Sequence, residues 1–280
     1  MPLDRPGEWY RYHHLLREML LAELDRLEPG LIPVLRRRAA SWCLRVGLPE
    51  EALEYSIAIG DVDIVVDLVG GLGMQAYRQG RVTTVRRWCG WLEDRGEIAG
   101  HPMLAVTAGV LSALTGRPAD AERWAEVAGH RECGEASGPE DPAAGGWAAL
   151  LRALLCRDGV EQMLADADEA ARRLAAEGVP EPAAVLLQGV ARVLSGDVDG
   201  GDASLEDAAS AAEASGAPDV VAVALCERSL LATGRHEWSQ AHAFVRRARA
   251  VLRKPGMAES YAIPLVAGGL LASAGGRPVP

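Results

Sequence analysis

Two residue types are nearly missing. Lys254 is the only lysine and Phe244 the only phenylalanine in 280 residues. Aromatic residues make up 5 % of the chain and β-branched ones are sparse, which disfavours strands. The cysteines Cys43, Cys89, Cys133, Cys156 and Cys226 are odd in number, far apart and never spaced C-x-x-C. That pattern sets aside a disulfide framework or zinc site and suits buried thiols in a reducing cytoplasm. The G-x-S-x-G elbow of nucleophilic hydrolases does not occur. No basic segment leads into an apolar one at the N-terminus, so no signal peptide is expected. The longest stretch free of both charged residues and histidine, 260–276, contains Pro264 and several glycines, and a membrane span needs about twenty apolar residues. The expectation is a soluble, cytoplasmic protein with no membrane partner.

What is abundant is alanine, leucine and arginine. Half of the chain, 49 %, is hydrophobic, enough for a sizeable core, and these residue types with glutamate are strong helix formers. The formal net charge of −10 argues against direct nucleic-acid binding, which needs a basic face. The basic runs Arg36-Arg37-Arg38 and Arg246-Arg247, with Arg249, fall in amphipathic patterns and read as solvated helix faces.

One signal recurs along the chain: an apolar helical stretch, a glycine with a small polar partner, then a second Ala- and Leu-bearing helix. The glycines are Gly47, Gly80, Gly116, Gly196 and Gly234, spaced by 33, 36, 80 and 38 residues. The long gap holds two repeats, with the missing turn near Asp158-Gly159. This is the period of helical-hairpin repeats. A glycine ends each first helix in the left-handed conformation, Asp or Pro starts the next, and small residues such as Ala52, Ala121 and Ala241 let the paired helices approach. A hairpin's apolar face is covered by its neighbour, so the units stack.

The fold class expected is therefore all-α: a tetratricopeptide-like helical-hairpin solenoid, a right-handed superhelix. Helices are placed at 13–27, 31–46, 49–59, 61–79, 81–95, 102–115, 118–131, 145–157, 160–177, 181–195, 199–215, 217–233, 236–253 and 258–273. The clearest loop runs from 134 to 146. At the N-terminus, turn residues 4–7 precede Trp9, Tyr10 and Tyr12, the pattern of a short β-hairpin. The chain reads as though it begins in mid-domain, with 1–30 ending one module and 31–280 forming the solenoid.

Several segments together resemble a known family. They are Trp9-Tyr10-Arg11-Tyr12-His13-His14-Leu15-Leu16-Arg17-Glu18-Met19-Leu20, then Leu35 to Trp42, Gly47-Leu48-Pro49-Glu50-Glu51-Ala52-Leu53-Glu54-Tyr55, and Ala58-Ile59-Gly60-Asp61. The family is that of the large ATP-binding LuxR-type transcriptional regulators, the maltose-activator-like regulators of bacteria. The match covers about residues 2–70, and the rest is similar in repeat texture only. The resemblance implies a winged-helix module handing over to a helical-repeat sensor. It also implies that Tyr10, Tyr12, His13 and His14 pack where the two meet. Two family features are missing from the sequence. No G-x-x-x-x-G-K-[ST] run occurs, and a chain ending in Gly275-Gly276-Arg277-Pro278-Val279-Pro280 shows no LuxR-type helix-turn-helix. Neither ATPase activity nor direct DNA reading is expected.

Other candidate residues have structural readings. His13, His14 and Glu18 lack a third ligand, and adjacent histidines point to different helix faces, so no metal is expected. Glu50-Glu51 and the Asp61/Asp63 pair sit where carboxylates cap a helix start. Trp42, Trp88, Trp91, Trp124, Trp147 and Trp238 are read mostly as wedges between hairpins. Trp88 and Trp91, three apart on one helix face, are also candidates for a concave ligand or partner surface. No catalytic or cofactor-binding residue is expected, and the chain is not read as an enzyme. It is read as the sensing region of a LuxR-type regulator, responding to a protein partner or small-molecule effector. The alternative is a free-standing adaptor that scaffolds protein complexes.

Overall fold

Helix ends are set by one repeated device. In the computed structural model, which describes residues 13–130, 142–178 and 181–253 with 262, 263, 265, 266, 268 and 269, left-handed residues stand at Gly47, Gly80, Gly116, Gly159 and Gly196. At Gly47, Gly80, Gly116 and Gly196 the next backbone N–H reaches back five positions. Leu48 N–H donates to Cys43 O at 2.8 Å, Arg81 to Ala76 O at 3.1 Å, Arg117 to Ser112 O at 2.8 Å and Asp197 to Arg192 O at 3.0 Å. These bonds satisfy carbonyls that a helix end leaves open, and the left-handed turn favours glycine because it has no Cβ.

The last turn differs from expectation. Gly234 is the final residue of its helix, and the left-handed position is His236 at φ 59°. The same five-residue bond closes it, Glu237 N–H to Ala232 O at 2.8 Å. A histidine there carries strain that glycine avoids, so His236→Gly is expected to stabilise the chain by about 1 kcal/mol. The gain is reduced by loss of the edge contact between the His236 and Trp238 rings, 5.6 Å apart. A higher urea midpoint at unchanged slope would show it.

The described residues form thirteen α-helices and no strand: α1 (His14–Leu27), α2 (Leu31–Arg45), α3 (Pro49–Ile59), α4 (Val62–Arg78), α5 (Val82–Glu93), α6 (Pro102–Leu114), α7 (Pro118–His130), α8 (Pro142–Leu155), α9 (Val160–Ala176), α10 (Pro182–Leu194), α11 (Val198–Ser215), α12 (Pro218–Gly234) and α13 (Trp238–Leu252). A short 3₁₀ turn, Ile98–Gly100, precedes α6. The fold class is thus all-α, consistent with a helical-repeat solenoid. Most of the expected loop, and the expected β-hairpin, lie outside the described residues. The loop's end is helical, because α8 starts at Pro142, a residue suited to a first turn. Residues 262, 263, 265, 266, 268 and 269, within the helix expected at 258–273, are helical.

The chain divides into two compact units, Met1–Leu68 and Val69–Pro280, with the division inside α4. In the first, α2 packs on α3 around Ala40, Cys43, Ala52 and Leu53. Arg36 Nη1 donates to Ala58 O at 3.1 Å. No residue of α1 is buried, and Leu15, Leu16, Met19 and Leu20 are all exposed.

In the second unit α6 pairs with α7, α8 with α9, α10 with α11 and α12 with α13, and α6, α8, α10 and α12 also touch in sequence. Trp88, Leu92, Leu104, Leu111, Leu151, Leu174, Leu205 and Leu225 are fully enclosed, each worth about 1.5–3 kcal/mol in water exclusion. Five residues beyond Gly47, Gly80, Gly116, Gly196 and His236 stands a small, buried side chain or none: Ala52, Val85, Ala121, Gly201 and Ala241. At this position the second helix leans on the first. The lean is closest at Gly201, where an added Cβ would lie 2.4 Å from Val193 Cγ2 and 3.0 Å from Gly189 O.

Ion pairs tie successive hairpins on the outside. Arg123 bonds Glu93 at 2.6 Å, Arg157 bonds Glu126 at 3.2 Å, Arg235 bonds Asp199 at 2.8 Å and Asp202 at 3.1 Å, and Arg247 pairs with Glu213. The forked guanidinium suits such bridging, although exposed pairs contribute about 0–1 kcal/mol each.

Candidate functional site

Helices α6, α8, α10 and α12 each begin with proline, and the residues before α6 and α10, His101 and Glu181, have extended backbone. The starts of α10 and α12, the later turns of α6 and α8 and the C-terminal turn of α4 surround a small cavity of about 70 Å³. Its walls are mainly apolar: Met74, Val110, Leu114, Leu150, Leu186 and Val220. Three charged groups converge on it, Arg78, Glu181 and Asp219, beside Tyr77 and Trp147.

Each is placed by its helix. Arg78 is the last residue of α4, where a cation complements the helix dipole. Glu181 is the N-cap of α10, and its Oε1 accepts the Ala183 N–H at 3.2 Å. Its other oxygen is ion-paired with Arg78. The Arg78 guanidinium lies 5.4 Å from the centre of the Trp147 ring, within cation–π range. Asp219 follows Pro218 in the first turn of α12 and is 5 % exposed. Its Oδ1 has no hydrogen-bond partner among the described residues.

Burial pushes the Asp219 carboxyl above the ordinary carboxylate range, against the Val220 and Asp219 backbone N–H groups and the Arg78 charge. Burial also lowers Arg78, and the Asp219 charge offsets part of that. A carboxyl whose folded-state pKa is raised holds its proton more tightly when folded. Stability is then greater at acidic pH and falls as pH rises from about 4 through the raised value. Glu227, raised by burial further along α12, adds a contribution of the same sign. Asp219→Asn is expected to remove the Asp219 part. The urea-midpoint advantage of the variant over the native chain would widen with rising pH, and a constant difference would contradict it.

The residues anticipated from sequence lie elsewhere. Trp88 is 1 % exposed, sealed within the core, and so presents no surface to a ligand. Trp91 is partly buried, with the Arg95 guanidinium 3.7 Å from its ring centre. Both are on α5, which contributes nothing to the cavity lining. His13 and His14 stand exposed at the start of α1 with ring centres 4.3 Å apart. Tyr10 and Tyr12 lie outside the described residues. Of the tryptophans, Trp124 and Trp147 are buried as wedges, whereas Trp42 is 42 % exposed. Burial pushes the Cys89 and Cys226 thiols up to about 12 and raises Cys43, leaving these thiols without thiolate character near neutrality.

A second, more open cleft of about 560 Å³ lies between α7, the end of α8 and α9. Of its charged groups, Glu126 is paired with Arg157 and Arg152 with Asp166, and Asp158 also lines it. Among the described residues no helix is long and apolar enough to cross a membrane.

Residues 1–32 match the MalT winged helix domain. The HTH-type transcriptional regulator MalT of Vibrio campbellii is 29 % identical over 105 residues, covering 38 % of this chain and 12 % of that protein. The chain is in part MalT-like. The serine/threonine-protein kinase PknK of Mycobacterium tuberculosis is 32 % identical over 82 residues, 29 % of this chain and 7 % of that protein. The matched stretch thus spans about an eighth or less of the length of these relatives. No solved structure matches the chain.

Proposed function

We propose that the chain is the regulatory helical region of a MalT-type transcriptional regulator, and that an effector is received between the first helices of its hairpins. The observation that carries the reading is the cavity itself, where α4, α6, α8, α10 and α12 bring Arg78, Glu181 and Asp219 to one apolar pocket. A mainly apolar wall with a few converging polar groups is the usual lining of a ligand site. The winged-helix match at 1–32 and the similarity to MalT supply the regulatory context. In this reading the chain acts by binding, and nucleotide hydrolysis and DNA reading belong to other parts of the regulator. The exposed apolar residues of α1, with His13 and His14, would meet the rest of the winged-helix module. An effector in the cavity would shift how neighbouring hairpins pack, and that shift is the signal.

The test is genetic. Deletion of the coding sequence is expected to change transcription from a defined set of promoters, and the native chain is expected to restore it. Leu150→Trp, which fills the cavity from α8, is expected to be stably produced and to leave transcription unrestored. Unchanged transcripts on deletion would overturn the regulatory reading, and a chain that then co-purified with a protein complex would be an adaptor.

A further inference from the structure

We infer that the cavity takes a small primary ammonium compound with a short aliphatic body, its charged head against Asp219. The inference rests on the cavity between α4, α6, α8, α10 and α12 being the effector site, and it goes further by naming the ligand's chemistry.

Charge and hydrogen-bond balance within the cavity select the ligand. Glu181 Oε1 accepts the Ala183 N–H and Oε2 is ion-paired with Arg78. That pairing cancels the arginine charge. Asp219 remains as one more carboxylate than the arginine can neutralise, 5 % exposed, with Oδ1 unpartnered and lining the cavity. A buried acceptor left without a donor costs free energy that a bound donor would recover. A monocation supplies the missing donor and the missing charge together.

Other ligand classes fit less well. Calcium and magnesium take about six or more oxygen ligands, and a single open carboxylate oxygen among leucine, valine and methionine walls does not supply them. An anion would meet Asp219 while the nearest cation is already engaged with Glu181. A polyhydroxylated ligand needs many polar partners, and the wall formed by Met74, Val110, Leu114, Leu150, Leu186 and Val220 offers few. These side chains suit an alkyl body. At about 70 Å³ the space is well under the roughly 300–1,000 Å³ of drug-sized pockets, so the body is short.

Thermal unfolding of the full chain tests this with n-butylammonium chloride, against potassium chloride at equal ionic strength and against n-butanol as the uncharged counterpart. The expected result is a saturable rise in Tm with n-butylammonium alone, about 2–3 °C at tenfold the Kd. Asp219→Asn is expected to abolish that rise while keeping the helical circular dichroism of the native chain. Leu150→Trp is expected to abolish it by filling the space. Equal stabilisation by n-butanol, persistence of the ammonium effect in Asp219→Asn, or no rise in the native chain would each overturn the assignment. The regulatory reading fails separately, by unchanged transcripts on deletion. A chain that still regulates transcription through the cavity, but ignores n-butylammonium, overturns the ligand class alone.

Discussion

Arg78→Met is expected to lower the unfolding free energy by about 3–5 kcal/mol, the cost of stranding a buried charge whose partner is removed. Glu181 is 6 % exposed and keeps only the Ala183 N–H once the guanidinium is gone. Asp219 loses its one stabilising neighbouring charge at the same time. The methionine refills the space beside Trp147, so the loss reports charge and not volume. Adding Glu181→Gln to Arg78→Met is expected to recover a large part of the loss, because the double variant leaves no stranded Glu181 charge. Urea unfolding of the native chain, both single variants and the double would give the coupling. A double variant no more stable than Arg78→Met would show that the pair is not what holds this corner together.

The second large effect is steric. Gly201→Val is expected to cost about 2–3 kcal/mol through overpacking of the α10–α11 crossing. The added Cβ alone would stand 2.4 Å from Val193 Cγ2, and the Gly189 carbonyl and Val193 nitrogen, each at 3.0 Å, are backbone atoms that cannot swing aside. The crossing is tight from the other side too, since a Cβ at Gly189 would meet the Leu205 nitrogen at 3.1 Å. Gly71 is the matched control: it is helical and exposed, with nothing within 4 Å of an added Cβ. Gly71→Ala is expected to stabilise the chain by about 0.5–1 kcal/mol through helix propensity. Equal effects at the two glycines, read from urea midpoints, would rule out the steric account.

Most helix boundaries were legible because the turns are built from residues with few alternatives. Gly47, Gly80, Gly116 and Gly196 are left-handed, as their spacing and polar partners imply, and the turn missing from the pattern is present at Gly159. Gly234 misled because composition marks where a left-handed residue is cheap, whereas the backbone bond from Glu237 to Ala232 decides where it stands. The cavity was far less legible. Glu181 and Asp219 each sit beside a proline at a helix start and read locally as caps, which Glu181 indeed is. Nothing local shows that two capping carboxylates and the last arginine of a distant helix meet. Trp88 and Trp91 drew notice because three-residue spacing puts two large rings on one face. In α5, however, that spacing serves packing, with Trp88 enclosed. The available clue lay in α6 and α12, whose runs from Leu104 to Ser112 and from Asp219 to Cys226 are buried all round. Helices enclosed on every side are the inner ones.

A row of hairpins that lean chiefly on their neighbours behaves like a spring, and can open at any coil without disturbing the next. Arg78, Glu181 and Asp219 belong to helices from different coils and are drawn to one point. They act as a clasp. Whatever loosens the clasp, a proton lost from Asp219 or a lost arginine, frees coils well separated along the chain, and whatever tightens it stiffens them together. Local events at one pocket would thereby be felt as slack or tension along the length of α4 to α12, and amide exchange in those helices would record it.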